Sequence, residues 1–424
     1  MEDVAIGTHG IRPSHAHPVS RAARLAALLV ALHTSGLAAQ HDHAMRPDTA
    51  RLSFGAMATG VYSHAAPGPF KVTISEAYLT QPMAFGSWRA PRGGVRAYLT
   101  LNAEGATLQR GEINPGVYGE GYVDRRHPHT WLHEAMLGAT GAAGNAGWSL
   151  FVGKGFVPYG TDDPMVRPFV KYPVNHHHAQ ILERAMVTGA VTWRRSTLEV
   201  ASFNGDEPES TTDWPNADRA FDSWSARVTA RPTPAVELSA SLARVASPEF
   251  AAGFGLDQRK HAANARYTST TGPARYLLVE YARTREFSGP VPAFDFDTWL
   301  GEGSVALPRG WSLAGRLERT IRPEEERATS FFRTVRPLHD FNIIGRTRWW
   351  NTTVALTAPS GGTGWLTGRP FMEVGYHVPR ATRRPTALDP VELFGARQVW
   401  MFSAGVRVHA GQMRSRFGRY AQPQ

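Results

Sequence analysis

Apolar and polar residues alternate with a period of two along strand-length stretches of the chain. Ser223 to Arg231 sets Trp224, Ala226, Val228 and Ala230 against Ser225, Arg227, Thr229 and Arg231. Val236 to Leu242 separates Val236, Leu238, Ala240 and Leu242 from Glu237, Ser239 and Ser241. Trp311, Leu313, Gly315 and Leu317 oppose Ser312, Ala314, Arg316 and Glu318, and Trp400 to Val408 repeats the pattern with Arg407 and His409 on its polar side. One apolar face per stretch predicts half-buried β-strands. Connections alternate in length as well. Short ones carry turn residues, such as GAAGNAG before Trp148, RRST after Trp193, PTPA after Arg231 and PRG after Leu307. Between them lie long polar ones: Gly105 to Thr130, Val157 to Leu182, Gly205 to Phe221, Ser247 to Gln258, Phe287 to Asp295, Arg322 to Asp340 and Pro379 to Ala396. Short turns at one rim and long loops at the other are the signature of an outer-membrane barrel. Counting from about Leu52 gives an all-β transmembrane antiparallel barrel of about 16 strands. Poor alternation at Ser53 to Ser63 and Asn342 to Thr357 leaves 14 to 18 open.

The N-terminus predicts an export signal over residues 1–39. Arg21 and Arg24 precede the apolar run Leu25 to Leu32, and small residues follow up to Ala39. A short segment, 40–51, then leads into one barrel domain, 52–424. Formal net charge is +10, about +9 once the leader's Arg12, Arg21, Arg24, Glu2 and Asp3 are removed. The charges are scattered along strands rather than grouped in Lys/Arg runs, which excludes a nucleic-acid partner. With no cysteine in the chain, disulfides, thiolate catalysis and Cys-based metal sites are excluded too.

A soluble β-protein would have to hide its second face. Here that face carries Arg227, Arg231, Glu280, Glu302, Arg316, Glu318 and Arg407, which a water-filled lumen accommodates. Trp131, Trp148, Trp193, Trp224, Trp299, Trp311 and Trp400 fall near predicted strand ends, where interfacial girdles lie. Signal, strands, unequal connections and a long third loop together resemble an outer-membrane porin of Gram-negative-type bacteria, over nearly all the mature chain. The resemblance implies passive diffusion of small solutes through the bacterial outer membrane, with outer-membrane lipid and lipopolysaccharide around the wall and a homotrimeric assembly. It also implies that the third outer loop, Val157 to Leu182, folds inward and sets Asp162 and Asp163, with Arg167 and Lys171 nearby, against a basic wall of Arg227, Arg231, Arg316 and Arg407. The loop's own composition agrees, because its prolines forbid a strand while Met, Val, Phe, Tyr and Ile give it apolar anchors. The excess of positive charge predicts a modest preference for small anionic or polar solutes. One departure stands out: such proteins end on an aromatic residue, whereas this chain runs past Phe417 and Tyr420 to AQPQ. Tyr420 then serves as a recessed assembly signal, or assembly differs.

Histidines cluster in three places beyond the leader: His127, His129 and His133 in DRRHPHTWLHE, His176, His177 and His178, and His41 and His43 in the HDH that opens the mature chain. The first three, if extended, share a face with Trp131. With Asp124 and Glu134 nearby they suit Zn²⁺, Cu²⁺ or Ni²⁺, so a metal-binding or metal-transporting barrel is the alternative function, and a divalent transition metal the sole cofactor candidate. Catalysis has no support: GxSxG and GxxxxGK[ST] are both absent. A structural or adhesive barrel without transport is the third class, and it predicts a plugged lumen.

Overall fold

The computed structural model describes residues 51–421 apart from 68–72, 109–110, 116–122, 127–128, 162, 175, 209, 326–342, 383–388 and 415. The predicted export signal, all but the last residue of the 40–51 segment, His127 and Asp162 therefore lie outside the described residues. So do the side chains of Asp124 and His177.

Sixteen antiparallel strands form a closed wall. In chain order they are β1 (Leu52–Ala66), β2 (Ile74–Arg89), β3 (Val95–Asn102), β6 (Leu132–Ala143), β7 (Ala146–Gly155), β8 (Arg184–Trp193), β9 (Ser196–Phe203) and β10 (Ser223–Thr233). The other half comprises β11 (Val236–Val245), β12 (Asp257–Thr268), β13 (Ala274–Ser288), β14 (Val291–Ala306), β15 (Ser312–Glu325), β16 (Ile343–Thr357), β18 (Leu366–Ala381) and β19 (Val399–Gly411). The omitted numbers are accessory. β4 (Glu112–Pro115) and β5 (Val123–Arg126) make a hairpin of their own, and β17 (Gly361–Thr363) extends the turn before β18. Pairing of β1 with β19, from Gly55↔Gly411 to Ala66↔Trp400, closes the cylinder. Closure removes the free edges that would otherwise leave backbone groups unpaired in lipid.

The pleat sends the apolar set outward. Leu238 and Leu242 are 43% and 48% exposed, while Glu237, Ser239 and Ser241 between them are buried. The same inversion runs round the wall, with Leu137, Leu150, Val200, Val228, Leu277, Leu317, Val354 and Val374 outside and Thr100, Glu199, Arg227, Glu280, Glu302, Arg316 and Glu373 inside. An exposed apolar belt over a charged interior is the reverse of a water-soluble core and fits a wall that faces lipid. The singled-out tryptophans are all exposed; all but Trp299 lie at or near strand ends, whereas Trp299 sits mid-strand in β14 against Tyr281.

The two poorly alternating stretches are both wall strands, β1 and β16. Pairing of β1 with β2 shifts register between Met57 and Thr59, which blurs the period there. One predicted long loop is corrected. Phe287 to Asp295 is strand almost throughout, because β13 runs to Ser288, β14 starts at Val291, and Gly289 turns at a left-handed φ of 59°. A Gly-Pro pair suffices for a tight hairpin, so the polar residues there extend the wall beyond the belt.

Candidate functional site in the barrel interior

Phe156 to Glu183 joins β7 to β8 and is the third connection at the long-loop end. Between its ends almost every described side chain is buried, including Val157, Tyr159, Met165, Phe169, Val170, Tyr172 and Val174. It packs against inward-facing side chains of many strands. The Gly160 amide donates to Ser241 Oγ on β11 at 2.9 Å. Amides of Val170 and Lys171 both donate to the Glu373 carboxylate on β18, the latter at 3.1 Å. The Val174 amide donates to Glu318 Oε2 on β15 at 3.0 Å. From the wall, Arg316 Nη1 donates to the Lys171 carbonyl at 2.8 Å, and Arg407 Nη2 to the Phe169 carbonyl at 3.0 Å. Proline and glycine keep this backbone out of a ladder, so wall carboxylates and guanidinium groups supply the partners that a strand would have supplied.

Each predicted charge has a definite place. Arg167 lies 3.6 Å from both Glu280 and Glu302. Lys171 reaches the Ile113 carbonyl at 2.7 Å and Glu112 at 3.6 Å, both on the β4–β5 hairpin, and also touches Tyr78. Arg316 pairs with Glu302 at 2.7 Å, and Arg227 grips Glu199 through two bonds of 2.7 and 2.9 Å. Asp163 caps the short turn Pro164–Val166 by accepting from the Met165 amide at 2.8 Å. Arg231 departs from the expected group: it lies at the short-turn end of β10, part exposed, paired with Glu237 at 3.0 Å. Of the predicted basic wall, Arg227, Arg231 and Arg316 are thus ion-paired, whereas Arg407 donates to loop carbonyls. Strand register sets Glu199 opposite Arg227 and Glu302 opposite Arg316, while Glu280 and Glu373 meet groups of the third loop.

A second insert comes from the C-terminus. Beyond Gly411, which turns at a φ of 70°, the chain folds back into the interior rather than continuing the strand. Arg414 forms a two-armed pair with Glu134 on β6, one arm at 3.1 Å. Arg416 holds Glu237 through two bonds of 2.8 Å, Arg419 lies 3.3 Å from the same carboxylate, and Arg227 donates to the Gly418 carbonyl at 3.1 Å. The Phe417 ring packs on Phe85 and Phe156. Burial first, then Glu134, pushes the Tyr420 phenol well up, so it stays a donor. Burial opposes the Arg414 charge, but Glu134 more than restores it. Neither aromatic lies on β19, so Tyr420 is not a strand-terminal residue.

The histidines separate. His129 and His133 are buried with their rings 4.6 Å apart, but Trp131 between them is exposed, against the expected common face. Pairing of β3 with β6 shifts register between Thr100 and Leu101, which turns both His133 and Glu134 inward and Trp131 out. Glu134 is taken by Thr100, Arg414 and Tyr420. The acid that joins the two histidines is instead Glu183, at the far end of the third loop. No local spacing marks it, since it lies 50 residues from His133. Burial works against its charge, yet His133 and His129 hold its carboxyl well below the usual range. His178 sits apart, against Thr284 and Phe296; burial, then Lys260, lowers its pKa to about 3. His176 packs on Tyr172.

A closed wall, an apolar exterior and a charged interior crossed by the third loop define the fold of a membrane-spanning antiparallel β-barrel. No protein-family model matches the chain, and no curated protein sequence matches it. Among solved structures it is similar to an anion-selective porin from Comamonas acidovorans, with 10% identity and a TM-score of 0.48 over 85% of this chain and 99% of that one. It is also similar to the trimer form of OmpT from Vibrio cholerae (10%, 0.48, 84% and 98%) and to Salmonella typhi OmpF in complex with daunomycin (9%, 0.45, 84% and 97%).

Proposed function

We propose that the chain is a channel for passive diffusion of small anionic or polar solutes across the outer membrane, without catalytic activity. Its third outer loop sets the bore. The observation that supports this reading is the way that loop is held, with amides and carbonyls of Val170, Lys171 and Phe169 tied to Glu373, Arg316 and Arg407 on the far wall. A barrel of sixteen strands is wide enough to leave an aqueous path beside such a loop. Arg167, Lys171, Arg227 and Arg316 all face carboxylates, so the anion preference is modest. It rests most on Arg407 with its cross-strand neighbour Arg369. The lipid partners are outer-membrane lipid and lipopolysaccharide, and the assembly is a homotrimer, to be checked by cross-linking the detergent-extracted protein.

A barrel without transport is the second reading, and the C-terminal insert favours it. Planar-bilayer recording separates the two. Ohmic steps from the intact protein, or from a protein ending at Gln412, support a channel; silence from both, with a heat-shifted barrel band on gels, supports a structural barrel.

A further inference from the structure

Outside the loop-to-wall contacts, among the described residues, one group of side chains converges on a point with the donor set of a metal site. His129 lies at the end of the β3–β6 connection, His133 on β6, and Glu183 at the end of the β7–β8 connection. One donor atom from each falls within 4.8 Å of the others, and all three residues are buried. Both imidazoles present Nδ1 to the same carboxylate oxygen, Glu183 Oε1, His129 at 3.4 Å and His133 in direct contact. Ligands about 2.0–2.1 Å from a tetrahedral ion stand about 3.3 Å apart, so the His129–Glu183 separation already fits and His133 need only move back by about an ångström.

Three further features bear on the site. Glu183 holds a left-handed φ of 55°, which costs an L-residue about 1 kcal/mol or more and persists only where its surroundings impose it. The carboxylate divides its work: Oε1 faces the two imidazoles while Oε2 faces Lys154 Nζ at 3.8 Å. The Thr130 amide donates to both oxygens at 3.3 Å, which fixes the carboxylate's plane as supporting groups do around metal ligands. His133 Nε2 has no hydrogen-bond partner among the described residues, so nothing there opposes the ring carrying its proton on Nε2 and turning the Nδ1 lone pair to an ion.

We propose that His129, His133 and Glu183 form a binding site for a divalent transition-metal ion such as Zn²⁺, which ties the second outer connection to the end of the third. Two imidazole nitrogens and one carboxylate oxygen are a borderline-soft set that suits Zn²⁺, Cu²⁺ or Ni²⁺ rather than Ca²⁺ or Mg²⁺. In the bound form each ring would carry its proton on Nε2 and offer Nδ1 to the ion, Glu183 would offer a carboxylate oxygen, and a solvent oxygen would complete a four-coordinate shell. The site is independent of whether the barrel conducts.

The test is calorimetric titration of full-length, chelator-stripped protein in detergent with ZnCl₂, and the visible spectrum after CoCl₂. One tight equivalent per chain, with a tetrahedral Co²⁺ band, is expected. His133→Gln, Glu183→Gln and His129→Gln should each weaken it at least tenfold, since loss of supporting groups alone costs about 10–100-fold. Alanine at His41, His43, His176, His177 and His178 should leave it intact. A heat-shifted band on gels shows which variants have folded, and any one of the three suffices. No site-dependent uptake in the unmodified protein overturns the proposal, as does uptake lost with the other histidines but kept in the folded Gln variants.

Discussion

The Tyr420 hydroxyl donates to Glu134 Oε1 at 2.8 Å across 286 residues of chain. That contact, with Arg414 on the same carboxylate, anchors the C-terminal segment inside the wall. The interior therefore holds an insert from the short-turn rim as well as those that enter with the long loops.

Ending the chain at Gln412 should raise single-channel conductance, several-fold if the segment fills the bore. Because the protein has no cysteine, a pair engineered at Phe85 and Phe417, whose rings lie 6.1 Å apart, gives a second handle. Oxidation should hold conductance low and reduction restore the ordinary value. Equal traces from the truncated and intact proteins would place the conducting path away from the segment.

Glu373→Gln should loosen the third loop, because one carboxylate accepts both the Val170 and the Lys171 amide. A charged acceptor contributes about 1.5–3 kcal/mol per bond where it is buried. Open-channel noise and proteolytic cutting within 164–174 should both rise, while the barrel's heat shift on gels stays put.

Reversal potentials in a salt gradient should show a modest anion preference that fades towards 1 M salt, where the Debye length is about 3 Å. Replacing Arg369 and Arg407 by Gln should lower the preference most. Replacing Arg227 should change it least, since Glu199 already balances that charge. Cation preference in the unmodified protein would reverse the assignment of the wall.

Acid should weaken the seating of the His178 turn. Its folded pKa is about 3 and its undocked value about 6.5, so the undocked loop binds the extra proton throughout that window. Docking stability is full above about pH 6.5 and falls as pH drops towards 3, by about 1.4 kcal/mol per unit. Hydrogen exchange at 176–180, corrected for intrinsic rates, should speed up between pH 7 and 4. His178→Gln should flatten the profile; an unchanged slope would put the titration elsewhere.

Much of the wall was legible because pleating converts a period of two directly into inside and outside. Ser223 to Arg231 and Val236 to Leu242 adopt the faces their alternation predicts, and the third loop's prolines and apolar anchors mark it as a packed interruption. Where the period slips, legibility slips with it: the register shift beside Leu132 hid that Trp131 faces out while His133 and Glu134 both face in.

Sequence by itself determined the strand class, the near-sixteen count and the apolar face of each strand, which follow from local spacing and turn chemistry, and it marked the third loop as a packed interruption. Tertiary structure alone decided which charges meet. Arg316 finds Glu302, Arg227 finds Glu199, His133 finds Glu183 and Tyr420 finds Glu134. The physical reason is register and closure. Strand alternation says that a residue points inward, but its height and its neighbour depend on how sixteen strands are staggered around a closed ring and on where the inserts cross the space inside.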